Sequence, residues 1–297
     1  MFADLSTEVA GLRLENPLML ASGILDENGY SMLRVLRSGG ASAAVTKSIG
    51  GEEERNGYRP PVVHPPLQSG MLNAIGLANP GIEEYGHEIE IARRAGKPII
   101  GSIFAPDEAG FSRLAERMQS FGVSAIELNL SCPHVKGVGS EVGGSDPVLV
   151  KRVVQAVKSV SSVPVFAKLS PNVTDLVEIA RAASDADGLV LINTVRAMAV
   201  DIRARRPVLS NGFGGLSGPS IKPVGGIRCV YEVRKAMDIP IVGGVGGISG
   251  FEDVVEYIMV GSDAVQIGTA LWRNGPGIFS SILCELEKFM EEEGYRA

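Results

Sequence analysis

Short runs rich in apolar and β-branched residues recur along the chain, and longer stretches with apolar residues three and four apart lie between them. The short runs predict strands at residues 17–22, 43–48, 98–104, 125–131, 164–170, 188–194, 239–244 and 264–270. The helical spacing predicts helices that include 82–95, 112–121, 148–160, 176–183, 251–260 and 278–292. Repeated strand–helix units imply parallel strands joined by right-handed crossovers. Eight units fit a closed (β/α)8 TIM barrel, whose usual length is about 250 residues. An open doubly wound sheet is the alternative. Residues 1–297 are read as one domain, with residues 7–14 forming a small N-terminal hairpin at the barrel's closed end.

The predicted strands end alike. Ser22-Gly23, Lys47-Ser48, Asn129-Leu130-Ser131, Lys168-Leu169-Ser170, Asn193-Thr194 and Gly268-Thr269 put polar groups where packing alone would favour Val, Ile or Leu. In barrel enzymes the carboxyl ends of the strands carry the chemistry. Six such ends predict one site. Two connections are longer than an ordinary βα loop. Residues 49–80 are rich in proline and glycine, and residues 195–218 carry Arg203, Arg205 and Arg206 before Asn211-Gly212-Phe213-Gly214-Gly215. Long loops of this kind cover an active face, and their Leu, Ile and Phe residues argue against disordered excursions.

Composition narrows the partners. Hydrophobic residues make up 45% and charged residues 21%, an ordinary globular balance. A net charge of −6 and only 5% aromatics argue against nucleic-acid binding. No apolar run approaches the ~20 residues of a membrane helix. Residues 1–10 carry Asp4 and Glu8 and no basic start, which predicts no signal peptide and a cytoplasmic chain. Cys132, Cys229 and Cys284 lie far apart, so neither a disulfide framework nor a metal or cluster site is expected. Cys229 and Cys284 fall among apolar residues in helical stretches and read as small core residues. His64 and His87 are assigned no chemistry.

The remaining cysteine differs. Glu127-Leu128-Asn129-Leu130-Ser131-Cys132-Pro133-His134 places a thiol just past a strand end, where Pro133 stops the strand and a run rich in glycine follows to Gly144. Position alone leaves Cys132 equally open to a reactive and an inert reading. The seventh strand runs into Gly243-Gly244-Val245-Gly246-Gly247-Ile248-Ser249 and the eighth into Gly268-Thr269. Loops at these two ordinal places often hold a phosphate with backbone N–H groups, although glycines also make tight turns. Lys168 is placed beneath a planar cofactor, where its charge would favour an anionic reduced flavin. The alternative is a surface ion-pair partner.

Together these residues resemble the dihydroorotate dehydrogenases over essentially the whole chain, from Ala21-Ser22-Gly23 to Gly268-Thr269. The most specific pieces are Asn129-Leu130-Ser131-Cys132-Pro133, Asn193-Thr194, Gly215-Leu216-Ser217-Gly218-Pro219 and Met71-Leu72-Asn73-Ala74-Ile75-Gly76-Leu77-Ala78-Asn79-Pro80-Gly81. A cysteine in the catalytic loop resembles class 1, and the Asn-Ala-Ile-Gly-Leu-x-Asn-Pro-Gly run resembles subclass 1B. The resemblance implies oxidation of dihydroorotate to orotate, one FMN per chain, and Cys132 as the base. It implies a pyrimidine-binding set of Lys47, Asn73, Ala74, Ile75, Gly76, Leu77, Asn129, Asn193 and Thr194. For FMN it implies Ser22, Lys47, Ser48, Asn129, Lys168, Ile192, Gly218, Gly246, Gly247, Gly268 and Thr269, with Ser102 where an asparagine is common. His134 likewise stands where relatives often carry asparagine. It further implies electron transfer to NAD through a partner subunit holding FAD and an iron–sulfur cluster, in an assembly of two plus two chains.

The chemistry fits the inventory. Dihydroorotate is a cyclic imide with a carboxylate, and asparagines offer both hydrogen-bonding senses while Lys47 offers a charge. A thiol of reference pKa ~8.5 can take a proton once partly ionised. Other readings are a fumarate-linked class 1A enzyme and another flavin-dependent dihydropyrimidine dehydrogenase. More distant are a Schiff-base aldolase-like barrel using Lys47 or Lys168, and a non-catalytic phosphate-binding scaffold.

Overall fold

The computed structural model describes residues 4–51, 53–63, 70–130 and 145–295. Eight parallel strands close into a barrel: β1 (Leu18–Leu20), β2 (Ala43–Val45), β3 (Ile99–Ile103), β4 (Ala125–Asn129), β5 (Val165–Leu169), β6 (Gly188–Leu191), β7 (Ile241–Val245) and β8 (Val265–Ile267). Each pairs with its sequence neighbours, and β8 returns to β1 through Val265 opposite Leu18. Closure settles the choice between a barrel and an open sheet.

Helices cover the outside: α1 (Gly29–Arg34), α2 (Ile82–Arg93), α3 (Glu108–Ser120), α4 (Pro147–Val160), α5 (Leu176–Ala182), α6 (Arg228–Ala236), α7 (Phe251–Met259) and α8 (Ile278–Glu292). Their starts are written in the sequence. Asp146 accepts hydrogen bonds from the N–H groups of Val148 and Leu149, with Pro147 opening α4. Asp107 caps α3 through the Gly110 N–H, and Asp175 caps α5 through the Glu178 N–H. The buried side of α4 is Val150, Val153, Val154 and Val157, an i, i+3, i+4, i+7 stripe.

Two layers of core result. Between barrel and helices lie residues such as Leu18, Ile99, Leu128 and Leu189 packed against the helical stripes. Inside the barrel the alternate residues Met19, Ile100, Phe166, Val190 and Val242 meet Val9, Leu12 and Leu14. Those last three come from the hairpin that pairs Thr7–Val9 with Leu12–Leu14. The hairpin expected at residues 7–14 therefore plugs the amino-terminal mouth and leaves the other end open.

The differences from expectation are local. The predicted strand 264–270 stops at Ile267, and Ala270 instead begins a short helix, Ala270–Asn274. The helix expected at 112–121 begins at Glu108, because the Asp107 cap sets its start ahead of the first clear apolar spacing. Cys229 is buried as expected, but Cys284 is exposed. The inward stripe of α8 runs through Ile278, Phe279, Ile282 and Leu286, and residue 284 falls on its opposite side.

The two long connections cover the carboxyl mouth as expected, and they do so as one paired layer. Val62–Val63, Met71–Asn73, Val195–Ala197 and Gly214–Ser217 form a four-stranded antiparallel sheet over the carboxyl mouth. Asn73 stands opposite Gly215, and its side-chain amide donates to the Gly215 carbonyl at 3.0 Å.

Candidate active site

Seven of the eight strands deliver side chains or backbone to one cleft at the carboxyl mouth. Ser22 follows β1, Lys47 and Ser48 follow β2, Asn129 ends β4, and Lys168 lies in β5. Ile192, Asn193 and Thr194 follow β6, Gly246 and Gly247 follow β7, and Gln266, Gly268 and Thr269 come from the end of β8. The overlying sheet contributes Asn73 and Ser217, and the turn after Asn73 contributes Ile75, Gly76 and Leu77. Gly218, just past the sheet, closes the same wall.

The floor is a linked polar network. The Asn129 amide donates to Ser48 Oγ at 2.9 Å, and Ser48 Oγ lies 2.8 Å from Ser102 Oγ. Ser102 is fully buried behind Ser48 and does not line the cleft. It acts on the cleft through Ser48 rather than by reaching into it. Ala74 is likewise buried, packed with Leu72 and Leu209 in a small core of their own, and does not line the cleft. The other predicted site residues among those described line the cleft. Cys132 and His134 lie outside the described residues, as does His64.

Lys168 is not a surface ion-pair partner. It is 5% exposed, and its ammonium donates to Glu127 Oε1 at 3.2 Å inside the barrel. Glu127 Oε2 accepts from the Gln266 side-chain amide at 2.9 Å. Glu127 and Gln266 were not singled out in the sequence, although each is a polar residue at an inward position of an otherwise apolar strand. That departure is a signal, because a buried polar group is retained only where it is paired.

Beside Lys47 lies a second buried acid. Asp26 accepts from the Gly23 N–H at 2.5 Å, and its other carboxylate oxygen, Oδ1, is buried without a hydrogen-bond partner among the described residues. Burial pushes the Asp26 carboxyl up to about 6, while the Lys47 charge and the Gly23 N–H pull it back. The buried Tyr85 hydroxyl donates to the Asp26 carbonyl and accepts from the Lys47 N–H at 3.4 Å. Tyr85 thereby ties the turn after β1 to the start of the β2 loop.

The wall formed by the β7 and β8 loops is backbone. Gly246 and Gly247 have φ values of +125° and +84°, a region that favours glycine. A Cβ on Gly247 would lie 2.9 Å from the Gly218 carbonyl oxygen. Asp253 accepts from the N–H groups of Ser249 and Gly250, so an anion would be met earlier, at Gly246 and Gly247. Thr269 Oγ1 lies 2.8 Å from Ser217 Oγ and links the β8 loop to the overlying sheet.

These features suit a phosphorylated flavin. The bare glycine wall would suit a phosphate, and the buried Gln266 Oε1, which has no partner among the described residues, is a free acceptor that a ribityl hydroxyl would satisfy. Lys168 provides a cation at the floor. Residues 4–290 match the family model described as dihydroorotate dehydrogenase. The chain belongs to the dihydroorotate dehydrogenase family. It is 61% identical over 295 residues to the dihydroorotate dehydrogenase B (NAD(+)), catalytic subunit, of Thermoplasma acidophilum, covering 99% of this chain and 96% of that protein. The proteins of the same name from Methanocaldococcus jannaschii and Pyrococcus furiosus are 48% and 47% identical, over 97% and 98% of this chain and 94% and 95% of theirs. Membership of this family sets aside the aldolase-like and scaffold readings. Among the described residues no group of histidine, cysteine and acidic side chains could hold a metal ion, and no helix is long and apolar enough to cross a membrane.

Proposed function

We propose that this chain is the catalytic subunit of an NAD-linked dihydroorotate dehydrogenase, oxidising dihydroorotate to orotate in pyrimidine biosynthesis in the cytoplasm. The observation that carries this reading is the single cleft in which Lys47, Asn73, Asn129, Asn193 and Thr194 stand with Lys168 and the glycine wall. Residues 1–297 act as one domain.

Each group has a task. The Lys47 ammonium pairs with the substrate carboxylate, and the asparagine amides meet the donors and acceptors of the imide ring. Ser48, held by Ser102, and Asn129, held by Ser48, fix that hydrogen-bonding pattern before substrate arrives. Cys132 removes the proton from C5. Ser22, Lys47, Ser48, Asn129, Lys168, Ile192, Gly218, Gly246, Gly247, Gly268 and Thr269 hold FMN. Bound FMN would supply the acceptor for the hydride that leaves C6. No cysteine cluster for an iron–sulfur centre occurs in the sequence, so electrons leave through a partner subunit that carries FAD and such a cluster. The assembly contains two copies of each chain.

Acid precipitation of the purified chain tests the cofactor assignment: the supernatant should contain a flavin with one phosphate. FAD in the supernatant, or no flavin from protein prepared in flavin excess, contradicts it.

A further inference from the structure

Glu127 has no part in the chemistry just described. Its carboxylate is fully buried inside the barrel, below a cleft that it does not itself line. A buried ion pair is a poor source of stability, because desolvation cancels much of the attraction. The two partners of Glu127, Lys168 and Gln266, are the groups that do line the cleft floor. An ionised carboxylate only accepts hydrogen bonds. Gln266 must therefore turn its N–H toward Glu127, which leaves its carbonyl oxygen as the buried, unpartnered acceptor. One acid thus decides both the net charge beside Lys168 and the sense of the Gln266 amide.

We infer that Glu127 is a positioning residue that tempers the charge of Lys168 toward the bound flavin and so sets the cofactor's reduction potential. The inference rests on the FMN reading above. An unopposed lysine ammonium at the floor would favour the negatively charged reduced cofactor, and the carboxylate 3.2 Å behind it offsets part of that attraction. Its fixed orientation of Gln266 gives the cofactor one acceptor at the same floor. Removing the negative charge while keeping the shape should make the flavin easier to reduce.

The test is the two-electron midpoint potential of the FMN-loaded chain, measured by dye equilibration between pH 6 and 8. Glu127→Gln should shift the oxidised-to-reduced equilibrium about tenfold toward reduced at pH 6, a rise of about 30 mV for this two-electron couple. Glu127→Asp retains the charge but withdraws it by one methylene, and should shift the potential the same way by less. Lys168→Met should lower it. A merely structural role would weaken FMN binding in all three variants without this opposition of sign. An unchanged or lowered potential in Glu127→Gln overturns the inference, and if that variant does not fold, the same result in Glu127→Asp does so. Absence of FMN from the wild-type chain would overturn the cofactor reading instead, and is seen before any variant is made.

Discussion

At the scale of single residues, two side chains carry separate expectations. Cys132 is assigned as base on the sequence motif alone, and kinetics is the direct check. Cys132→Ala should retain FMN and orotate binding but reduce flavin with dihydroorotate ~10²–10⁴-fold more slowly, the usual worth of a general base. Stopped-flow flavin absorbance measures this, and a near-normal rate at neutral pH rejects the assignment. Asp26 makes a different prediction. Its folded-state pKa is raised from 3.8 to about 6 by burial, so the folded chain holds this proton more tightly than the unfolded chain does. The stabilisation is complete below about pH 4 and is lost as pH rises through about 6. Asp26→Asn has no such titration, so denaturant unfolding should show wild type losing a few kcal/mol relative to the variant across this window. A constant difference between the two proteins from pH 4 to 7 would contradict the buried, proton-binding carboxyl.

At the scale of elements, the barrel and the place of its cover are legible in the sequence, and the sheet that the cover forms is not. Residues 43–48 announce a strand because the apolar run Ala43–Val45 leads into polar Lys47 and Ser48, residues 98–104 because Ile99, Ile100 and Ile103 are β-branched, and α8 follows its apolar stripe from Ile278 to Glu292. The sheet above the mouth depends on pairing Asn73 with Gly215, 142 residues away, and no local pattern encodes such a partner. The same is true of the Glu127–Gln266 contact, 139 residues apart in sequence. The ladders stop short of the sequence pattern for a physical reason: polar residues such as Asn193 and Thr194 follow β6 beyond its last paired residue, Leu191. The overlying sheet brings its own prediction. A Cβ at Gly215 would stand 2.0 Å from Thr194 Oγ1, so Gly215→Ala must displace Thr194 or separate the paired strands. Orotate titrations should show weakened binding and kcat/KM should fall on the order of 10²-fold, as for ångström-scale misplacement of a site. FMN content should fall less than orotate affinity, because Gly246, Gly247 and Gly268 lie on the β7 and β8 loops, away from the displaced strand. Normal orotate affinity in this variant would mean that the sheet does not shape the substrate site.

At the scale of the whole molecule, the closed barrel explains why one end works and the other does not. The hairpin residues Val9, Leu12 and Leu14 fill the amino-terminal mouth, so the polar cleft proposed for substrate and cofactor lies at the carboxyl mouth. The cleft brings together groups for one flavin and one pyrimidine, and the 297 residues carry no cysteine cluster to relay electrons onward. The central claim is that this chain performs the first half of a reaction that a partner completes. Anaerobic mixing of the FMN-loaded chain with dihydroorotate, followed by NAD, tests that claim most directly. The flavin absorbance should bleach with one equivalent of orotate formed, with negligible NADH until an electron-transfer subunit is added. A flavin that stays oxidised with dihydroorotate, or rapid NADH formation by this chain alone, would contradict it.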